Sequence, residues 1–220
     1  MIYLIFDTET TGLPKNWKAP TSDVDNWPRL VQLSWVLTDG VEREEFNFII
    51  KPNGFEIPTE ASGIHGITTE RAKQDGRNRE FILDLFRSAV NIADVVVAHN
   101  LNFDQSIMGA EYFRTYKDNR FEQRLATKQT FCTMLQSTEL LGITGNHAGK
   151  SKWPKLQELY YHFFGTDFDG AHDAINDTRA CEACYFKIKE LATPPKPQEP
   201  KSRADNLWDS IKSPVTPAGA

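Results

Sequence analysis

Apolar positions along the chain change period several times. From Ile2 to Glu9 a short run rich in β-branched and aromatic residues predicts a buried strand. The stretch Gly12 to Trp27, rich in Pro, Asp and Asn, reads as a loop. Arg29–Thr38 and Val41–Lys51 predict two more strands. Asp39-Gly40 between them is a two-residue hairpin signal, because both residues tolerate positive φ. The period then lengthens: Thr68–Gln74 and Arg79–Ile92 predict helices, with Phe81, Leu85 and Val90 on one face of the second. Val95–Ala98 is apolar throughout, as in a strand covered on both faces. A helix over Asn102–Tyr116, a short strand over Thr130–Met134, and helices over Leu156–Phe164 and Ala174–Leu191 complete the pattern, with Pro154 near the first turn of the third. Three consecutive strands followed by alternating helix and strand predict one mixed α/β domain over residues 1–192.

After Leu191 the pattern stops. Six of the twelve prolines lie between Pro194 and Pro217, so residues 193–220 read as a proline-rich linker and solvated tail. Within it Leu207, Trp208 and Ile211 would share one face of a short helix over Ala204–Ile211, either a docking segment for a protein partner or a dispensable solvated end.

Composition narrows the class. At 220 residues, with 40% hydrophobic and 25% charged residues, the chain is long enough for a sizeable core. Its longest apolar run, Met1–Phe6, falls far short of the roughly 18–20 residues of a spanning helix. With no basic residue before it, that run is not read as a signal peptide. Three cysteines build no disulfide framework, which points to a reducing, cytoplasmic setting. The net charge of −5 hides a split: Glu111–Lys155 carries eight Lys/Arg against four Asp/Glu. Such a stretch beside acidic clusters suits an enzyme that grips phosphates while gathering carboxylates on metal ions; a solvated helix and loop explain it equally well.

The chemistry rests on three stretches. Asp7 and Glu9 are two apart on the first strand, so both carboxylates project from one face. As a lone pair they would simply face water. Asp104 follows the buried strand Val95–Ala98 at the start of the next helix, where by itself it would serve as a first-turn acid. Two adjacent strands ending at one sheet edge bring these three acids together. In the third stretch, Asp177 shares a helical stripe with Cys181, Cys184 and Ile188, a costly place for a carboxylate that is neither paired nor ligating. His172 enters the same helix five residues earlier. Four carboxylates can hold two hard divalent ions, Mg²⁺ or Mn²⁺, that activate water and stabilise a leaving oxygen, and a neutral imidazole can accept the water's proton. That combination is the chemistry of phosphodiester hydrolysis.

FDTETTG at 6–12, HNLNFD at 99–104 and HDAINDT at 172–178 resemble the three motifs of the DnaQ-like, DEDDh class of 3′–5′ exonucleases, and GIHGIT at 63–68 resembles a segment of its DNA polymerase III epsilon-subunit branch. The resemblance spans about residues 2–191. It implies an RNase H-like fold, a mixed five-strand sheet flanked by helices. It also implies two Mg²⁺ or Mn²⁺ ions and release of nucleoside 5′-monophosphates from 3′ ends. By position, Asp7, Glu9, Asp104 and Asp177 would ligate metal and His172 would be the general base, swinging in with substrate. Thr10 and Leu13 would touch the terminal nucleotide, and His65 would either order the active-site wall or approach substrate. The expected substrate is single-stranded DNA or a frayed 3′ end, possible roles being proofreading and repair, with a polymerase or replication protein as the tail's partner. Trimming of RNA 3′ ends, and an idle nucleic-acid-binding subunit, are the alternatives. The Pro14–Trp27 insertion departs from the pattern, as does a tail without a clamp-binding motif.

Other features are set aside. Gly145–Ser151 approaches a P-loop but has three residues between its glycines instead of four, so it reads as a basic loop. Cys181 and Cys184 form a CxxC in mid-helix, which is core packing and not a redox pair. Trp17, Trp27 and Trp153 are either base-stacking platforms or pins for their own loops.

Overall fold

In the computed structural model, which describes residues 1–143 and 151–192, strand β1 (Tyr3–Thr10) lies at the middle of a five-stranded sheet. The sheet order is β3-β2-β1-β4-β5. β2 (Leu30–Thr38) and β3 (Arg43–Ile49) extend one side as an antiparallel meander, and β4 (Val95–Ala98) and β5 (Gln129–Cys132) extend the other side in parallel with β1. Successive side chains of β1 feed different cores, because strand residues alternate between faces. Leu4 and Phe6 pack with Ile82, Leu83 and Phe86 of α3 (Arg79–Ile92) and with Ile107 and Met108 of α4 (Leu101–Tyr116). Ile5 packs on the other face with Cys181 and Tyr185 of α8 (Ala174–Ala192). Helices on both faces explain why the middle strands are apolar almost throughout. A third cluster, built on Val31, Ile57 and Ile67, joins α1 (Thr59–His65) and α2 (Thr69–Asp75) to the sheet. α7 (Leu156–Phe164) packs against α8.

Several expectations need correction. The buried face of α3 is Ile82, Leu83, Phe86, Ala89 and Val90, whereas Phe81 is 57% exposed and lies edge-on to Phe48. The Asp39-Gly40 turn is not a two-residue hairpin. Thr38 pairs with Arg43, and the Asp39 carboxylate accepts the N–H groups of Val41 and Glu42, closing a four-residue loop. The last strand ends at Cys132 because Thr133 begins α6 (Thr133–Leu141). That helix, the six-residue α5 (Arg120–Leu125) and the seven-residue α1 are too short or too weakly periodic to be seen in the apolar pattern.

The insertion Pro14–Trp27 is tied down. The Asn26 side chain accepts the Asn16 N–H and donates to the Asn16 carbonyl, Trp27 is buried with its indole N–H on the Pro20 carbonyl, and Arg114 donates to the carbonyls of Val24 and Trp27. Trp27 is therefore a pin. Trp17 stays half exposed beside Phe103, and Trp153 is exposed. The basic stretch is also largely spent on structure. Arg124 bonds Asn91, and Lys128 bonds the carbonyls of Asn91 and Ala93, at the end of β4 opposite the predicted acids. Cys181 and Cys184 are buried free thiols, and burial pushes Cys184 up to about 12, which leaves it inert. The predicted tail elements and residues 145–150 of the P-loop-like segment lie outside the described residues. Among the described residues no helix is long and apolar enough to cross a membrane.

Candidate active site

Three elements deliver the acids to the C-terminal end of β1. Thr8 and Thr10 are buried, so Asp7 and Glu9, alternating with them, face the opposite side. β4 ends at Ala98, and a turn through Asn100, whose φ is 67°, starts α4 so that Asp104 lies in its first turn. Thr8 holds Asp104 there: its hydroxyl donates to Asp104 Oδ1 at 2.7 Å and its backbone N–H at 3.2 Å. The first turn of α8 supplies Asp177, whose Oδ2 accepts the backbone N–H of His172 at 3.0 Å. His172 sits at φ 67°, a left-handed conformation that few residues with a Cβ adopt. Ligand atoms of Glu9, His172 and Asp177 lie within 4.8 Å of one another. The imidazole thus lies beside the carboxylates.

The four acids raise one another's energy. Burial, then the charges of Asp104, Asp177 and Glu9, hold the Asp7 carboxyl well above the ordinary carboxylate range. Burial and the charges of Asp177 and Asp104 push Glu9 up to about 8. Asp104 and Asp177 are raised too, again mainly by burial, although hydrogen bonds from Thr8 and from the His172 backbone pull the other way. Among the described residues no Lys or Arg forms an ion pair with any of the four. An all-carboxylate set with one imidazole and no protein counter-charge fits a hard divalent cation.

Beside Glu9 opens a largely apolar cavity of ≈ 460 Å³. Residues 8–13 form one wall, Pro58 and the α1 residues Glu60, Ala61, Ile64 and His65 another, and Phe103 closes the side. The exposed side chains of Leu13 and Ile64 stand at it. The Thr10 hydroxyl is turned inward onto the Gly12 carbonyl, and His65 is buried with Nδ1 accepting the Ile67 N–H. Of the three predicted nucleotide contacts, Leu13 alone is freely presented; Thr10 and His65 shape the wall.

The sequence profile of the RNase T exonucleases matches residues 4–185. The chain belongs to this exonuclease family. A DNA polymerase III subunit epsilon from Treponema pallidum (strain Nichols) is 30% identical to the exonuclease over 181 residues, which cover 81% of this chain and 72% of that protein. E. coli exonuclease I in complex with a dA16 oligonucleotide superimposes with a TM-score of 0.66 at 21% identity, over 96% of this chain and 42% of that one. A zinc-bound E. coli exonuclease I–ssDNA complex gives 0.65 at 19%, over 96% and 42%. The exonuclease therefore spans under half the length of those chains, and at such identities the likeness concerns the fold, here the RNase H-like one.

The exonuclease also has bracing residues to which the sequence reading assigned no role. Gln32 pairs with Glu9 across the β1–β2 ladder, donates to Asp173 Oδ1 at 2.9 Å and accepts the Ala174 N–H at 3.3 Å. It clamps the turn that carries His172. Ser34, two pairs back opposite Asp7, donates to the Ala174 carbonyl at 2.6 Å and meets Thr178. His99 braces the Asp104 turn through Thr133 and the Pro154 carbonyl, each at 3.0 Å, and burial lowers it to about 4, keeping it neutral. Ile64 and Phe103 lay inside recognised motifs, and their exposure or half-burial was the signal the pattern did not carry.

Proposed function

We propose that the chain is a 3′–5′ exonuclease that removes nucleoside 5′-monophosphates from DNA ends, with residues 1–192 as its catalytic unit. The observation that carries this reading is the convergence of four uncompensated carboxylates and His172 beside an apolar cavity of nucleoside size. Asp7, Glu9, Asp104 and Asp177 would hold two Mg²⁺ or Mn²⁺ ions. When bound, the ions supply an activated water and neutralise charge at the leaving oxygen. The protein does the rest. Leu13, Ile64 and Phe103 grip the terminal base and sugar and fix the phosphodiester beside Glu9. His172 takes a proton from the attacking water, and Gln32 and Asp177 hold its backbone in place for that transfer. Support for DNA comes from the epsilon-subunit relative and from exonuclease I, whose structures contain single-stranded DNA.

The test uses 5′-labelled single-stranded DNA, duplex DNA and RNA with Mg²⁺, Mn²⁺ or EDTA. DNA should shorten stepwise from its 3′ end, release nucleoside 5′-monophosphates, and stay intact in EDTA. Internal cleavage, 5′-end release or metal-independent cutting would reject the reading, and shortening confined to RNA would replace the substrate.

A further inference from the structure

A second cavity, of ≈ 590 Å³, lies behind the nucleotide pocket, and its lining carries four cations, Arg29, Lys51, Arg77 and Arg79, against a single carboxylate, Glu80. In a chain of net charge −5 that is an unusual concentration. The fold builds it deliberately. Lys51 and Arg77 are brought side by side by backbone bonds from Lys51 N to Arg77 O (2.9 Å) and from Arg77 N to Ile49 O (2.8 Å). Gly76 makes that approach possible, because a Cβ there would lie 2.7 Å from the Lys51 N and Cα and would also strike the Ala72 carbonyl. Arg29 is flattened over the Phe55 ring, 4.1 Å from its centroid. The buried Glu111 behind the cleft neutralises only part of this charge, since it serves Arg29, Arg79 and Arg114 together. Lys51 and Arg77 are exposed and make no ion pair among the described residues, and the buried Nε of Arg79 finds no acceptor in the protein.

We propose that this cleft binds backbone phosphates of the nucleic-acid strand whose 3′ end occupies the active site, an inference that rests on the exonuclease reading above. The cleft is at the correct end of the sheet. Glu9 pairs with Gln32 and Gln32 with Ile49, which places Ile49 two strand spacings, about 10 Å, from Glu9. Lys51 follows two residues later. Arg29 is bonded through its backbone to Thr11, which itself lines the nucleotide pocket. A strand leaving that pocket meets the cleft within a few nucleotides. Guanidinium and ammonium groups bind phosphate without reading sequence, as a nuclease that must advance along any strand requires. The volume far exceeds a lone phosphate ion, and Asn53 and Asn78 line it beside the cations, suited to sugar and base edges.

The experiment compares the full chain with Lys51→Ala/Arg77→Ala, two exposed side chains whose backbone bonds are kept, and with Lys51→Glu alone as the version least able to disturb folding. Fluorescence anisotropy of a labelled 20-nucleotide single strand, in EDTA and over a salt series, should show affinity weakened about tenfold in the double variant. Its log–log salt slope should be shallower by about 1.4, from two lost phosphate contacts. In Mg²⁺ a dinucleotide, too short to reach the cleft, should be hydrolysed at the parent rate. Unchanged 20-mer affinity and slope would overturn the proposal. So would an equal loss on the dinucleotide, or a variant that loses only inhibition by nucleoside monophosphate or inorganic phosphate, which would make the cleft a small-anion site. Should the parent hydrolyse nothing yet bind the 20-mer through Lys51 and Arg77, the catalytic reading would fail and the cleft would stand.

Discussion

Two buried acids lie two turns apart on α4's inward face and are treated in opposite ways. Glu111 is 1% exposed and receives Arg29 at 2.9 Å, Arg114 at 2.8 Å, Arg79 at 3.7 Å and the Leu30 N–H at 3.1 Å. Asp104, seven residues earlier on the same helix and equally buried, receives Thr8 but, among the described residues, no cation, and faces three more carboxylates. A fold that merely needs to be stable compensates a buried charge, because an unpaired one costs several kcal/mol. At the C-terminal end of β1 the described residues supply no such compensation, which is what the proposed metal site requires. The contrast separates a carboxylate whose charge the fold compensates from one whose charge it does not.

Asp7→Asn and His172→Asn should produce the largest effects. Asp7→Asn keeps the shape of its side chain, and Asn tolerates the left-handed backbone at position 172. Turnover should fall on the order of 10²–10⁴-fold for His172→Asn, the range for loss of a general base, and at least as far for Asp7→Asn. Metal-free Asp7→Asn should melt no lower than the parent, since a repulsion has been removed. Turnover within a few fold of the parent in either variant, measured on labelled DNA, would return that residue to a structural role. Glu111→Gln should do the reverse: a loss of about 3 kcal/mol in denaturant unfolding, with activity per folded molecule within a few fold of the parent. If this variant lost activity and kept stability, the contrast between the centres would be false.

The smallest effect is a pH dependence. The folded-state values of Asp7, Glu9, Asp104 and Asp177 are raised, so their protonated forms stabilise the folded chain. That stability is fully present below the unfolded carboxylate range and is lost as pH rises through the folded values, Glu9's being about 8. The metal-free protein should therefore lose a few degrees of Tm between about pH 5 and 8. Asp7→Asn should flatten that slope and Glu111→Gln should leave it intact. A divalent cation should raise Tm most at the alkaline end. A metal-free Tm that climbs steadily to pH 8 would mean that the acids are compensated after all.

Much of this protein is legible without its structure. Alternation alone places Asp7 and Glu9 on one face of β1, an apolar run marks β4 as internal, and helical spacing ties Asp177 to a core-facing stripe. These are local properties: each follows from the period of a single element. Helices α1 and α6 escaped because the residues they bury, Ala61 and His65 in one and Thr133, Met134 and Ser137 in the other, are mostly small or polar, and the phase of α3 differs because Phe81 covers Phe48 at the sheet rim and not the core. What tertiary structure alone decided are relations between distant residues. The Gln32–Asp173 clamp joins positions 141 apart in the chain, Arg29 reaches Glu111 across 82, and Arg77 meets Lys51 only because α2 returns the chain to the end of β3. No pattern in a single segment encodes such pairings. Sequence set which groups are acidic or basic and on which face of an element they stand; packing decided which charges were paired and which were not.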